Sequence, residues 1–193
     1  MSITKRLETR LSLISSSMEL IERSTEVISS IIQESISNNG KIMFCGNGGS
    51  AAESQHMAAE YCATLNHKNF RPGIAALSLT VDTSFITAWS NDFGYLEVFS
   101  RQIETLGNEG DTLICYSTSG TSKNIIQAAI KAKSLGIKVV LFTGENKDIE
   151  IRDYCDYIFH APSLNTAFIQ EMHTILGHEV CLNVEDNWTT KEL

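Results

Sequence analysis

The sequence predicts an α/β protein built on a doubly wound, five-stranded parallel sheet that is flanked by helices. Short apolar runs recur along the 193 residues and alternate with stretches of helical periodicity, which is the pattern of βαβ units. These runs are predominantly apolar, as expected of strands that are buried on both faces. Two of the runs lead directly into loops rich in glycine or hydroxyl side chains, and a helix follows each loop.

The N-terminal helical region, residues 1–38, is predicted to hold one long helix over residues 3–38, because apolar residues recur there every three or four positions. Its apolar stripe suggests a role in subunit contacts. The α/β core is predicted over residues 41–188, so that residues 1–193 form a single domain. Strands are predicted at residues 42–45, 74–79, 111–116, 137–143 and 157–160. Helices are predicted at residues 51–64, 83–89, 96–106, 122–135, 147–153 and 166–184.

The composition narrows the classes of function. A net charge of −8 argues against a nucleic-acid partner, because binding a phosphate backbone needs clustered Lys and Arg. The sequence shows no signal peptide and no stretch of membrane-spanning length. Its five cysteines fit neither a zinc motif nor a disulfide framework. We therefore expect a cytoplasmic protein without nucleic-acid or membrane partners.

A hydroxyl-rich segment, Ser117-Thr118-Ser119-Gly120-Thr121-Ser122, follows the third predicted strand, and we call it the hydroxyl loop. Ligands of open α/β sheets bind beyond the carboxyl ends of the strands, where a helix N-terminus offers unpaired N–H groups and partial positive charge. Ser117, Ser119 and Ser122 add hydroxyl donors there. Alternatively, Ser119 or Thr121 only caps the following helix. Because one cap needs one hydroxyl and the loop has five, we predict a phosphate site.

A glycine-rich segment, Gly46-Asn47-Gly48-Gly49-Ser50, follows the first predicted strand, and we call it the glycine turn. It has neither the lysine of a Walker loop nor the spacing of the dinucleotide fingerprint. The side chain of Asn47 could bind a sugar hydroxyl, and the N–H groups of Gly48 and Gly49 could face a ligand. The alternative is an ordinary tight turn in which Ser50 caps the next helix. Asn91-Asp92, in a predicted loop, is a further candidate for binding sugar hydroxyls, although such a pair is also typical of plain turns.

Two pairs of polar residues are candidates for metal binding or acid–base chemistry. His56 and Glu60 stand at positions i and i+4, so both project from one face of the second predicted helix, residues 51–64. Taken alone, this spacing also suits a surface pair. Gln170 and His178 on the last helix are eight residues apart, about 12 Å along the axis. If both serve one site, we expect them to come from different subunits. Taken singly, His173, which lies between them, and His178 are each interpreted as structural or surface residues.

These motifs together resemble those of one family. Cys45 with the glycine turn, His56 and Glu60 form the first; Asn91-Asp92-Phe93-Gly94, the hydroxyl loop and Gln170-Glu171-Met172-His173 with His178 follow in order. In this order and at this spacing, they resemble the phosphoheptose isomerases (sedoheptulose-7-phosphate isomerases) of the sugar isomerase (SIS) superfamily. The similarity covers nearly the whole chain, whereas the hydroxyl loop alone indicates only the superfamily.

The resemblance implies an aldose–ketose isomerase that converts sedoheptulose 7-phosphate to D-glycero-D-manno-heptose 7-phosphate through an enediol, for lipopolysaccharide, capsule or related glycans. It implies a homotetramer with active sites between subunits and one zinc ion per site, held by His56, Glu60, Gln170 and His178. Glu60 is expected to be the base at carbon and His178 the complementary acid–base. The residues expected to bind substrate are Asn47, Gly48, Gly49, Ser50, Glu60, Asn91, Asp92, Ser117, Thr118, Ser119, Ser122 and Gln170.

Two positions depart from the family pattern. Thr64 stands where the family usually has an arginine, and Ala167 stands where it commonly has an aspartate. Lys68 or Arg71 could supply the missing positive charge. The departures leave two alternatives open: an isomerase of another sugar phosphate, or a non-catalytic SIS protein that binds a sugar phosphate and regulates a partner. A pure binder would have no need of the four predicted zinc ligands.

Overall fold

The computed structural model describes residues 2–68 and 71–188, and its centre is one parallel sheet. All the pairings between neighbouring strands are parallel, in the order β2-β1-β3-β4-β5. This confirms the predicted doubly wound, five-stranded fold. The order reverses between β1 and β3, and ligands of such sheets bind at the switch point. The strands are β1 (Ile42–Gly46), β2 (Ala76–Ser78), β3 (Thr112–Tyr116), β4 (Lys138–Thr143) and β5 (Tyr157–His160).

Helices cover both faces of this sheet. The side of Phe44, Tyr116 and Phe142 packs under α2, α3 and α7, and the side of Met43 and Leu113 packs under α5 and α6. No helix of the described residues is long and apolar enough to cross a bilayer. The helices are α1 (Ile3–Ser16), α2 (Met18–Ser37), α3 (Gly49–Cys62), α4 (Thr83–Phe93), α5 (Val98–Leu106), α6 (Lys123–Ser134) and α7 (Thr166–Trp188), with a 3₁₀ turn at Glu150–Tyr154.

The N-terminal region is two helices, so the prediction of one helix over residues 3–38 is wrong. The break falls at Ser17, whose N–H donates to the carbonyl of Ile14, three residues back, and tightens the turn. The hydroxyl of Ser17 donates to the carbonyl of Leu13 at 2.7 Å and takes the place of the helical N–H. α2 is amphipathic and packs on α7, whereas no residue of α1, all of which is described, is buried in the single chain.

Other element boundaries also differ from the sequence prediction. α3 begins at Gly49 and not at residue 51, so Ser50 lies inside its first turn. α4 continues to Phe93 and places Asn91 and Asp92 in its last turn, not in a loop. The segment predicted as a helix at residues 147–153 is a 3₁₀ turn, and α7 extends to Trp188.

Candidate active site

The glycine turn and the hydroxyl loop lie side by side at the carboxyl edge of the sheet. They follow β1 and β3, which are paired up to their last residues, Gly46 and Tyr116. The first helical residues after each loop therefore start from neighbouring strands. This is the edge where the switch point predicts a ligand.

The hydroxyl loop leaves the start of α6 without a side-chain cap. Ser122 is the N-cap residue, and its side chain accepts no hydrogen bond from the helix. Its Oγ accepts instead from the hydroxyl of Ser117 at 3.3 Å. The hydroxyl of Ser119 accepts from the N–H and from the Oγ1 of Thr121. The alternative in which Ser119 or Thr121 only caps the helix is therefore wrong, and the first N–H groups of α6 are available to an anion.

Two residues fix the course of this loop. Gly120 has a φ of +70°, and a Cβ built on it would lie 2.8 Å from Cγ2 of Ile149. The carbonyl of Thr118 accepts a hydrogen bond from the N–H of Gly144, beyond the end of β4. The conformation therefore requires glycine at residue 120 and holds Thr118 in place at the edge of the sheet.

The glycine turn starts α3 in the same uncapped way. Gly48 is the N-cap residue, with φ +58° and ψ −121°, and has no side chain to offer. Ser50 is buried within the first turn and is not the cap, so the alternative in which Ser50 caps the helix is wrong. Two neighbouring helices thus begin without a side-chain cap, which favours a phosphate or carboxylate at this edge.

The side chain of Asn47 is held by two residues that sequence reasoning missed. Nδ2 of Asn47 donates to Oδ1 of Asn124, and Nδ2 of Asn124 donates to Oδ1 of Asn47, both at 2.9 Å. The hydroxyl of Tyr95 donates to the same Oδ1 of Asn47 at 3.0 Å. We call these three side chains the amide clasp.

Asn91 and Asp92, just before Tyr95, are exposed, and Nδ2 of Asn91 donates to Oδ1 of Asp92 at 2.8 Å.

A cluster of acid–base side chains lies further along α3. Nε2 of His56 is 3.2 Å from Oε1 of Glu60 and 3.3 Å from Nε2 of His178 on α7. The two imidazole rings meet edge to face, with centroids 4.9 Å apart. On the other side of His56, Oε2 of Glu53 is 3.8 Å from Nδ1. The structure thus brings His56, Glu60 and His178 together within one chain, all half-buried.

Gln170 lies elsewhere, at the start of α3. A Cβ built on Gly49 would be only 2.7 Å from Nε2 of Gln170, so the amide packs flat against the glycine. Beside it is a cavity of about 300 Å³ between α3 and α7. Within the single chain, Gln170 therefore contacts the glycine turn, whereas His178 contacts His56. The cavity is lined by Gly49, Ser50 and Glu53 from α3 and by Ala167, Gln170, Glu171, His173 and Thr174 from α7.

The donors around His56 are of the kind that zinc prefers. Tetrahedral zinc, with bonds of about 2.0–2.1 Å to nitrogen, holds neighbouring ligand atoms about 3.3 Å apart, close to both distances at Nε2 of His56. Over residues 2–68 and 71–188, however, no group of three or more His, Cys, Asp or Glu side chains stands arranged as a metal site. The pairs of His56 with Glu60 and with His178 fit zinc in donor type and spacing.

His173 is a buried structural histidine. It lies among the rings of Tyr116, Phe142 and Phe159, and its Nε2–H donates to the carbonyl of Thr143 at 3.2 Å. Burial lowers its pKa to about 4, so the ring is neutral at pH 7. Burial likewise raises the pKa of Tyr116 well above its ordinary value, and the nearby Glu53 carboxylate adds to the shift. Neither side chain is poised for proton transfer at neutral pH.

The two departures from the family pattern have different surroundings. The hydroxyl of Thr64 donates to Oε1 of Glu185 at 3.1 Å. Arg71 is fully buried, and its guanidinium donates to Glu185 and to backbone carbonyls, so Arg71 does not supply a free charge. Lys68 is exposed. Ala167 lines the cavity beside Gln170 and leaves room there.

Known proteins resemble this chain over most of its length. The SIS domain family model matches residues 8–144, which include the glycine turn and the hydroxyl loop. A phosphoheptose isomerase of Burkholderia pseudomallei (strain K96243) is 51% identical over 78% of this chain and 75% of the relative. One of Helicobacter pylori (strain P12) is 43% identical over 91% of this chain and 90% of the relative. The solved structure of a phosphoheptose isomerase from Neisseria gonorrhoeae matches with a TM-score of 0.88 at 34% identity, over 95% of this chain and 97% of that one.

Proposed function

This chain belongs to the SIS domain family and, within it, to the phosphoheptose isomerases, and we infer that it interconverts sedoheptulose 7-phosphate and D-glycero-D-manno-heptose 7-phosphate. It is an aldose–ketose isomerase of heptose biosynthesis. We propose that it works in the cytoplasm and that its product serves lipopolysaccharide, capsule or related glycans.

One observation of the structure carries this function. His56 and Glu60 lie on α3, and His178 lies on α7. The same helix α3 begins without a side-chain cap at the carboxyl edge of the sheet. We propose that the phosphate binds at the hydroxyl loop, beside the start of α3, so that a carboxylate and two imidazoles lie along the helix that begins next to it. That combination suits a sugar phosphate whose carbon-bound proton must be moved.

Two protons move in this reaction, and we assign each of them to a different side chain of the cluster. Conversion of a ketose to an aldose moves a proton from C1 to C2 through a cis-enediol, and it moves a hydroxyl proton from O1 to O2. We assign the carbon-bound proton to the Glu60 carboxylate and the oxygen-bound proton to the His178 imidazole. The hydroxyl loop and the N–H groups of α6 hold the phosphate, and Gln170 orients the sugar oxygens.

We propose that His56, Glu60, His178 and Gln170 hold one zinc ion per site. The donor types and the two distances at Nε2 of His56 support this assignment. When bound, zinc supplies Lewis acidity that stabilises negative charge on substrate oxygens. Two measurements test the site without turnover: the metal content of the purified protein and the loss of thermal stability on chelation.

We propose a homotetramer whose active sites lie between subunits. Ile3, Leu7 and Leu11 occupy positions i, i+4 and i+8 on α1. They form an apolar stripe that is exposed to solvent in the single chain. Gln170 packs against Gly49 in its own chain, whereas His178 lies at His56, about two helical turns further along α3. A second copy is therefore the source we propose for the Gln170 that joins the His56 cluster.

Proton exchange with solvent tests the isomerase directly. Incubated with sedoheptulose 7-phosphate in deuterium oxide, the protein should produce the aldose with deuterium at C2, as followed by NMR. Glu60→Gln should lower kcat at least about 10³-fold with an unchanged oligomer, because the carbon base is lost. Glu109→Gln, an exposed glutamate outside the site, is the matched control.

Three outcomes would count against parts of this assignment. Normal turnover by the Glu60→Gln variant would remove Glu60 as the base. No turnover of the heptose, together with thermal stabilisation by other sugar phosphates, would point to another isomerase substrate or to a sugar-phosphate-binding regulator. A monomer in sedimentation would contradict the tetramer.

Subunit mixing tests where Gln170 acts. Gln170→Ala and Glu60→Gln chains, each inactive alone, are unfolded together and refolded as mixed oligomers. If a site joins Glu60 of one chain to Gln170 of another, the mixture regains activity, because some sites receive both intact residues. Inactive mixed oligomers would mean that each chain uses its own Gln170.

A further inference from the structure

The amide clasp uses most of the hydrogen-bonding capacity of Asn47. A carboxamide has two acceptor positions on oxygen and two N–H donors. Oδ1 of Asn47 already accepts from Asn124 and from Tyr95, and one of its N–H groups donates to Asn124. A sugar hydroxyl would find a single N–H remaining. Asn47 is therefore placed more as a link within the protein than as a ligand for the sugar.

The clasp joins the two helices that carry the two halves of the site. Asn47 immediately precedes the start of α3, which bears His56 and Glu60. Asn124 is buried in the first turn of α6, directly after the hydroxyl loop. Tyr95 comes from the connection between α4 and α5 and closes the link from the solvent side. The clasp thus sets how α3 and α6 start relative to each other, beyond the last paired residues of β1 and β3.

This register matters for a substrate that must be held at both ends. In a heptose 7-phosphate, the phosphate and the reacting C1 and C2 lie at opposite ends of a seven-carbon chain. With the phosphate at the start of α6, any shift of α3 displaces Glu60 from C1. A misplacement of about 1 Å can lower a rate by about 100-fold.

We propose that Asn124 and Tyr95 are positioning residues of the isomerase, which act through Asn47 to keep the acid–base helix α3 in register with the phosphate-binding start of α6. The inference rests on the proposed function for its kinetic consequences. The physical link itself, however, is measurable without any turnover.

Four variants test the link, with Asn38→Ala as a matched control, an exposed asparagine after α2. Asn124→Ala should lower kcat about 10- to 50-fold, because α3 loses its register. The inhibition constant of inorganic phosphate, which needs only the hydroxyl loop and the backbone N–H groups at the start of α6, should stay within about 3-fold. Tyr95→Phe removes one hydrogen bond at an exposed site and should cost about 2- to 5-fold in kcat. Asn47→Ala and the double variant Asn47→Ala/Asn124→Ala should both match Asn124→Ala within about 2-fold.

Hydrogen–deuterium exchange supplies the readout that does not depend on activity. Residues 46–54 should exchange faster in Asn124→Ala and, to a smaller degree, in Tyr95→Phe, while the control leaves them unchanged. Because Tyr95 is exposed, its variant should fold even if Asn124→Ala does not. If the wild-type protein fails to isomerise the heptose, the proposed function fails, and the exchange data still decide the link.

Three results would overturn the proposal. A rise in the phosphate inhibition constant that parallels the loss of activity would mean that Asn124 only builds the hydroxyl loop. Multiplicative losses in the double variant would mean that Asn47 acts directly on the substrate. Unchanged exchange over residues 46–54 in both Asn124→Ala and Tyr95→Phe would mean that no clasp holds the glycine turn.

Discussion

The two ends of α3 are built in opposite ways. At its N-terminal end, Gly48 is the cap residue and leaves the first N–H groups without a side-chain partner. At its C-terminal end, the carbonyls of Glu60 and Tyr61 accept hydrogen bonds from the Arg71 guanidinium at 3.0 and 2.9 Å. Arg71 is paired in turn with Glu185 at 2.6 Å. One end is open to a ligand, and the protein's own side chains close the other.

The two ends of α3 therefore have different roles: the N-terminal end serves ligand binding, and the C-terminal end serves stability. Unpaired backbone groups are costly where neither water nor a ligand reaches them, so an open helix end next to a cavity indicates a binding site. A buried charge must be paired, so the closed end holds the fold together. His56 and Glu60 lie between the two ends. Removing the Arg71 contacts at the C-terminal end of α3 should therefore destabilise the fold. Changes at the N-terminal end should impair catalysis but leave the protein folded.

Arg71→Met should have the largest effect on stability. It removes the guanidinium that pairs with the buried Glu185 carboxylate, which also accepts from the N–H groups of Leu65 and Asn66. The free energy of unfolding, measured in urea, should fall by about 3–5 kcal/mol. The double variant Arg71→Met/Glu185→Leu should recover part of this loss, because no charge is then left unpaired. A loss below about 1 kcal/mol in the single variant would show that the pair does not close this end.

Gly49→Ala should show the reverse pattern at the open end. The new Cβ would meet the amide of Gln170, which must move away from the start of α3. We expect kcat/KM to fall about 100-fold, while the free energy of unfolding stays equal or rises by up to about 1 kcal/mol, as for Gly→Ala within a helix. Ala52→Gly, exposed on the same helix, is the matched control and should lose stability but not activity. Equal losses of stability in both variants would erase the contrast between the two ends.

His173 lies beneath the open end and should make the fold sensitive to acid. Its pKa is about 4 in the folded protein and 6.5 in an exposed histidine, so the unfolded chain binds the proton more tightly. The contribution of this residue is therefore complete above pH 6.5 and is lost as the pH falls toward 4. Between pH 7.5 and pH 5 it should amount to about 2 kcal/mol. Urea unfolding of the wild type and of His173→Gln at both pH values isolates it, and identical pH dependence would contradict the assignment.

The sequence predicted the sheet and its loops because their signals are local. Apolar runs of strand length and the glycine and hydroxyl motifs are visible within a few residues, and the switch point follows from the alternation of strands and helices. The break at Ser17 was missed because the apolar periodicity runs through it, and a single hydroxyl contact with Leu13 decides it. Asn124 and Tyr95 were missed because their partner, Asn47, lies 77 and 48 residues away. No local pattern marks such a contact.

Ser122→Ala is the smallest and most discriminating change, and it tests whether the start of α6 is open in the same way as the start of α3. A serine that caps a helix through its side chain loses about 0.5–2 kcal/mol on replacement by alanine, but Ser122 makes no such bond to α6. We therefore expect the free energy of unfolding to change by less than about 0.5 kcal/mol and the affinity for inorganic phosphate to fall about 5-fold, which is one hydrogen bond. Asp82→Ala is the matched control, because the Asp82 carboxylate accepts from the N–H of Phe85 and caps α4, and it should lose about 1 kcal/mol of stability. If Ser122→Ala behaved like Asp82→Ala and kept its affinity for phosphate, the hydroxyl would belong to the helix and not to the ligand, and the start of α6 would count as a closed end.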